Sequence, residues 1–246
     1  MIKHVEIVNK SGKVLRGYLD EPLDFNGDLV VMFHGFTGNK TEHAGHFRNL
    51  SRILSKNSIG SLRMDFSGNG ESDGEFYEFT FDTMMEEADL IIDYAKALEN
   101  VKRIILLGFS MGGAVAGMMV ARRPNDIYKL VLWSAAGDML EKIRTRYENN
   151  EKNENENVVI APSFEMSKAM YESINKYDTF KGIENFKGQV LIIHGKNDLS
   201  VNYLFSARYA VSFYNSHLYF INGAGHGYDK PAERDELYKH TLDFIK

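Results

Sequence analysis

The stretch Leu29-Val30-Val31-Met32-Phe33 is apolar without a break, so as a strand it has no polar face to offer water. Such a strand suits a parallel sheet covered by helices on both sides. Further runs, largely apolar, stand at Ile59 to Met64, Ile104 to Leu107, Ile127 to Trp133, Val190 to Ile193 and His217 to Ile221. Helical patterns lie between them. His46 to Lys56 puts Phe47, Leu50, Ile53 and Leu54 on one stripe, and Phe81 to Leu98 repeats Met84, Met85, Ala88, Ile91, Ile92 and Ala95 at helical spacing. Methionines in such stripes read as core filling rather than cofactor contacts. His4 to Asn9 and Val14 to Asp20 read as a hairpin turning through Lys10-Ser11-Gly12-Lys13. Strand and helix alternate through most of the chain, which predicts an α/β three-layer sandwich with a mostly parallel central sheet.

One region breaks the alternation. Between Gly137 and about Phe186, two polar helical segments flank Glu148 to Asn157, a run with no apolar side chain. Such a run cannot join a core and predicts a mobile surface loop. Residues 137–186 therefore read as an insertion after the sixth strand, with 1–136 and 187–246 forming the core. Long insertions in α/β folds often serve as lids, so a cap over the mouth of a site is the reading, with a decorative insertion as the alternative.

The chemistry centres on Gly108-Phe109-Ser110-Met111-Gly112, which follows the apolar run and precedes a helix beginning near Met111. Gly-x-Ser-x-Gly alone is a weak pattern. Between a strand and a helix it reads as a tight elbow that holds a nucleophilic serine at its tip. A serine hydroxyl needs a general base, and the base needs an orienting acid. Asp198 stands just past Val190 to Ile193, in His194-Gly195-Lys196-Asn197-Asp198, and His226 stands in Asn222-Gly223-Ala224-Gly225-His226 before a last helix. All three fall at strand C-termini, where open parallel sheets place their ligands. The transition state also needs amide donors for an oxyanion, and the candidates are the N–H groups of Met111 and of Phe36, in His34-Gly35-Phe36-Thr37-Gly38. His34 reads as a structural hydrogen-bonding residue. His43 and His46 read as surface residues, since no third ligand follows in metal-like spacing.

Composition removes several other classes. The net charge is −5 with both signs interspersed, so no basic face for nucleic acid is visible. With no cysteine, disulfides, thiolate metal sites and cysteine nucleophiles are excluded. The first residues lack the apolar segment of a secretion signal and no run reaches membrane-spanning length, so the expectation is a cytoplasmic protein that makes no membrane contact. No cofactor and no metal are expected; the partner is a small-molecule substrate, and a homodimer is left open.

These motifs resemble those of the α/β-hydrolase superfamily, whose chain order is Ser, Asp, His, and the resemblance runs from about Val14 to the C-terminus. His34 to Lys40, Arg63 to Gly74 and Asp93-Tyr94-Ala95 resemble bacterial cinnamoyl and feruloyl esterases more closely. The resemblance implies an α/β-hydrolase fold with a cap insertion after the sixth strand. It also implies a serine carboxylesterase in which Ser110, Asp198 and His226 form the triad and Phe36 and Met111 the oxyanion hole. Phe109 and Met111 depart from the histidine and glutamine common in those esterases. Selection of substrate is expected at Phe36, Met111, the cap and the loops near Val201 and Tyr228, with Asp138, Tyr171 and Tyr177 able to bond a phenolic hydroxyl. The alternatives are a monoacylglycerol lipase, an acyl-coenzyme A thioesterase using Lys142, Arg144 and Arg146, an aminopeptidase, and a non-hydrolytic small-molecule receptor.

Overall fold

A computed structural model describes all residues 1–246. An eight-stranded sheet forms its middle layer, in the order β1 (Ile2–Val8), β2 (Val14–Asp20), β4 (Gly60–Met64), β3 (Asp28–Phe33), β5 (Arg103–Phe109), β6 (Lys129–Trp133), β9 (Gln189–Gly195) and β10 (Ser216–Ile221). The first hairpin and the β2–β4 pairing are antiparallel, and every pairing from β4 to β10 is parallel. Alternate residues of the apolar strands serve opposite faces, as the two-residue period of a strand requires. Leu29, Val31 and Phe33 join one core, whereas Val30 and Met32 join the other. The larger core lies under α2 (Phe81–Ala97), α3 (Met111–Arg122) and α6 (Leu204–Ser212). The smaller is closed by α1 (His46–Ser55) and α7 (Pro231–Ile245).

Residues 137–186, between β6 and β9, contain α4 (Met139–Asn149), a short antiparallel hairpin of β7 (Val158–Ala161) and β8 (Phe164–Met166), and α5 (Lys168–Ser173). The hairpin is not foreshadowed by the sequence pattern, which pointed only to helices. The run 148–157 is largely exposed, and its turn is organised by Asn153, whose side-chain oxygen accepts the Asn155 and Asn157 amides at 3.0 Å each. The segment is not polar throughout. Met139, Ile143, Tyr147, Val158, Met166, Met170 and Ile174 are buried and continuous with the larger core, so its inner side is packed as the domain interior is.

Candidate active site

Ser110 occupies the turn between β5 and α3 at φ 53°, ψ −117°, a left-handed conformation that few non-glycine residues adopt. Close packing enforces the turn. A Cβ at Gly112 would overlap the Phe33 carbonyl at the end of β3, and one at Gly108 would overlap the backbone of Gly112. With the chain bent this tightly, the hydroxyl stands at the C-terminal end of the sheet.

The loops after β9 and β10 deliver the other two groups to that point. His226 Nε2 lies 3.0 Å from Ser110 Oγ, and its Nδ1 lies 2.6 Å from Asp198 Oδ2. Since the carboxylate can only accept, Nδ1 carries the proton and Nε2 is left to accept the serine O–H. Asp198 is buried, and burial opposes its ionisation. Hydrogen bonds from His194 and His226, the charge of His226 and the Val201 amide outweigh that cost and hold the carboxyl well below the usual carboxylate range. The Phe109 ring lies against the His226 ring with centroids 4.9 Å apart, covering one side of the imidazole.

The loop after β3 is pinned by its own side chains. His34 Nδ1–H donates to the Gly35 carbonyl at 2.8 Å and its Nε2 accepts the Phe66 amide at 3.1 Å, a structural role. Glu42, which the sequence reading did not single out, accepts the Gly35 N–H at 2.7 Å. The Phe36 and Met111 amides donate to no acceptor within the chain, and both residues line the cavity that holds Ser110. Met111 is the first residue of α3, where an amide has no partner in its own helix.

Ser110 and His226 stand where two cavities meet. The larger, about 920 Å³, runs beneath α4, with Phe36, Met111, Met139, Ile143, Met166 and Val201 among its apolar walls and Asp138, Lys142, Arg146 and Asn149 among its polar ones. The smaller, about 370 Å³, is polar and bordered by Glu42, His43 and Asp229.

Several residues stand elsewhere than expected. The Tyr171 hydroxyl donates to Glu148 at 2.8 Å with its ring stacked on Tyr147, and the Tyr177 hydroxyl donates to Asp82 on α2 at 2.6 Å; neither lines either cavity at Ser110. Burial, then the Asp82 bond, pushes the Tyr177 phenol above its ordinary range. Asp138 does line the larger cavity, but its Oδ2 pairs with Lys142 at 2.8 Å and its Oδ1 is sealed from solvent without a partner. Lys142 and Arg146 reach the same cavity, and Arg144 does not. Val201 is at the wall, whereas Tyr228 is wholly buried with its hydroxyl bonded to Ser134 Oγ and the Ile193 carbonyl. His43 is exposed and paired with Asp229, but His46 is buried between Tyr238 and the Gly227 carbonyl rather than on the surface.

A family model described as Serine aminopeptidase, S33 matches residues 26–174, more than half of the chain, including both oxyanion candidates and Ser110. The chain is an α/β-hydrolase of the serine aminopeptidase S33 family. The hydrolase is 34% identical over 118 residues to the AB hydrolase superfamily protein YisY of Bacillus subtilis and 30% identical over 134 residues to human monoglyceride lipase. These matches take in 48% and 52% of the hydrolase, and 41% of each relative's length. Among solved structures it superposes on Est1E of Butyrivibrio proteoclasticus with ferulic acid bound at a TM-score of 0.85 and 26% identity. That alignment covers 98% of the hydrolase and 99% of Est1E.

Proposed function

We propose that this serine hydrolase is a carboxylesterase that cleaves small carboxylic esters, hydroxycinnamate (feruloyl) esters among them, through a Ser110–His226–Asp198 triad. The carrying observation is the 3.0 Å approach of His226 Nε2 to Ser110 Oγ at the junction of the two cavities. A planar ester laid across that junction has room for an acyl group under α4 and for its alcohol in the smaller polar cavity. His226 takes the Ser110 proton as Oγ attacks the carbonyl carbon, and Asp198 holds the imidazole tautomer and stabilises its positive form. The oxyanion forms against the free Phe36 and Met111 amides. His226 then gives its proton to the leaving alcohol, and water repeats the steps in reverse order to release the acid.

An aromatic acyl group is supported by the size and mixed lining of the larger cavity and by the full-length likeness to Est1E, whose structure holds ferulic acid. A monoacylglycerol reading has one observation in its favour: Leu199, fully exposed, stands on the wall of the larger cavity, where an acyl chain would cross it. The test is a hydrolysis panel of p-nitrophenyl esters of increasing acyl length, methyl ferulate, a monoacylglycerol and a short acyl-coenzyme A. Ser110→Ala is expected to lower turnover by about 10⁴-fold or more while leaving the circular dichroism spectrum unchanged. Preference for methyl ferulate supports the feruloyl reading, preference for the monoacylglycerol favours the second, and turnover that survives in Ser110→Ala overturns both.

A further inference from the structure

We propose that His194 and Ser206 form a second positioning arm on Asp198, opposite His226, which fixes the direction of the carboxylate and tempers its charge. The inference rests on the triad reading above. Asp198 has a side chain sealed from solvent, and its two oxygens receive three hydrogen bonds and the close approach of a further ring nitrogen. Oδ1 accepts the Ser200 and Val201 amides, each at 2.8 Å. Oδ2 accepts His226 Nδ1–H at 2.6 Å and also faces His194 Nε2 at 3.0 Å. His194 lies on β9, four residues before Asp198, and is itself sealed from solvent.

Only one neutral tautomer of His194 fits its neighbours. Nε2 faces two acceptors, the Asp198 carboxylate and the Val201 carbonyl at 3.1 Å, so a lone pair there would be repelled by both. The proton therefore sits on Nε2, and Nδ1 accepts the hydroxyl of Ser206, 2.6 Å away on α6. Ser206 is wholly buried, so this bond has no competing water. The result is a chain of donors, Ser206 to His194 to Asp198, that mirrors the one from Ser110 through His226.

Two consequences follow for the general base. A carboxylate held by three hydrogen bonds and flanked by the His194 N–H, which it shares with the Val201 carbonyl, cannot turn away from His226. A donor on the same oxygen also draws off part of the negative charge that His226 sees, so the imidazolium is stabilised without being held too firmly to release its proton. Few other ionisable groups face this pocket. Beyond the two histidines these are the buried Tyr228 phenol and, outside it, the Lys142 ammonium, which donates to the Ser200 carbonyl. From α6 the contact is the uncharged Ser206.

Three variants test the arm: His194→Leu removes the donor and keeps bulk, His194→Gln returns an N–H near the Nε2 position, and Ser206→Ala leaves His194 in place but unlocks its tautomer. The measurement is kcat and KM for p-nitrophenyl acetate from about pH 5 to 9, with Ser110→Ala and fluorophosphonate labelling of Ser110 as controls. His194→Leu is expected to lower kcat by about 10- to 100-fold with KM within twofold. It should also move the acid limb of kcat/KM to higher pH by a few tenths of a unit, because the carboxylate then bears more charge toward His226. His194→Gln should recover most of both, and Ser206→Ala should fall between. A kcat loss with an unmoved acid limb that Gln does not recover would reduce His194 to packing and overturn the proposal, as would a Leu variant equal to wild type. If His194→Leu fails to fold, a Ser206→Ala enzyme identical to wild type in kcat and acid limb overturns it. Ser110-dependent turnover with the His194 variants unmoved rejects the arm alone; turnover independent of Ser110 rejects the triad with it.

Discussion

At φ 53° the Ser110 backbone is strained, and the strain is sustained because Phe33, Gly112 and Gly113 leave the elbow no slack. Gly112→Ala should therefore be costly: its methyl meets the Phe33 carbonyl, which belongs to a central strand and cannot retreat. The expected loss is about 3 kcal/mol in urea denaturation, with turnover reduced further than stability alone explains. His46 makes a second prediction. Burial pushes its imidazole below the ordinary 6.5, so below that pH the unfolded chain takes up a proton that the folded chain refuses. Stability should fall as pH drops from about 6.5, and in a His46→Gln variant the melting temperature should vary less over that interval. The burial of His46 was not legible in the sequence, because Gly227 and Tyr238, which enclose it, lie 181 and 192 residues further along the chain. Ser110, Asp198 and His226 could be picked out because each follows an apolar strand. His194 and Glu42 carry no local mark beyond their proximity to such a motif.

Among the elements, the segment between β6 and β9 departs most from what its composition suggests. Tyr171 and Tyr177 were expected to face a substrate, but helical phase cannot be set where helices are short and a hairpin intervenes. In the structure both phenols are spent on protein carboxylates, Glu148 and Asp82. Tyr171→Phe and Tyr177→Phe should thus leave KM for methyl ferulate unchanged, while Tyr177→Phe, which cuts a tie from the segment to α2, lowers stability by about 1 kcal/mol. Steady-state kinetics and denaturant titration read the two effects separately. A rise in KM in either variant would return that tyrosine to the substrate's side of the wall. The apolar inner face of α4 was hidden by the charged residues interspersed with Met139, Ile143 and Tyr147 along the same helix.

For the molecule as a whole, the largely apolar runs made the layers legible, since a strand buried on both faces leaves few architectures open. Strand order was less accessible, because it depends on which runs pair, and the pairing of β3 with both β4 and β5 is not written in either partner. The last helix closes the smaller core. Thr241 on α7 accepts the indole N–H of Trp133, the chain's single tryptophan, at 3.0 Å. Thr241→Val would strand that buried donor and is expected to cost about 1–3 kcal/mol, followed by Trp133 fluorescence during unfolding.

The parts of the proposed triad also have an order in time. Ser110 precedes the histidine that reaches it by 116 residues, and β9 and β10 must both exist before Asp198 and His226 can come together. At a synthesis rate of about 5–20 residues per second, a growing chain carries its serine for roughly 6–23 s before the proposed base is even made. During that interval the hydroxyl is an ordinary alcohol. On the proposed triad, Ser110 therefore gains its reactivity only once His226 has been made and folded against it.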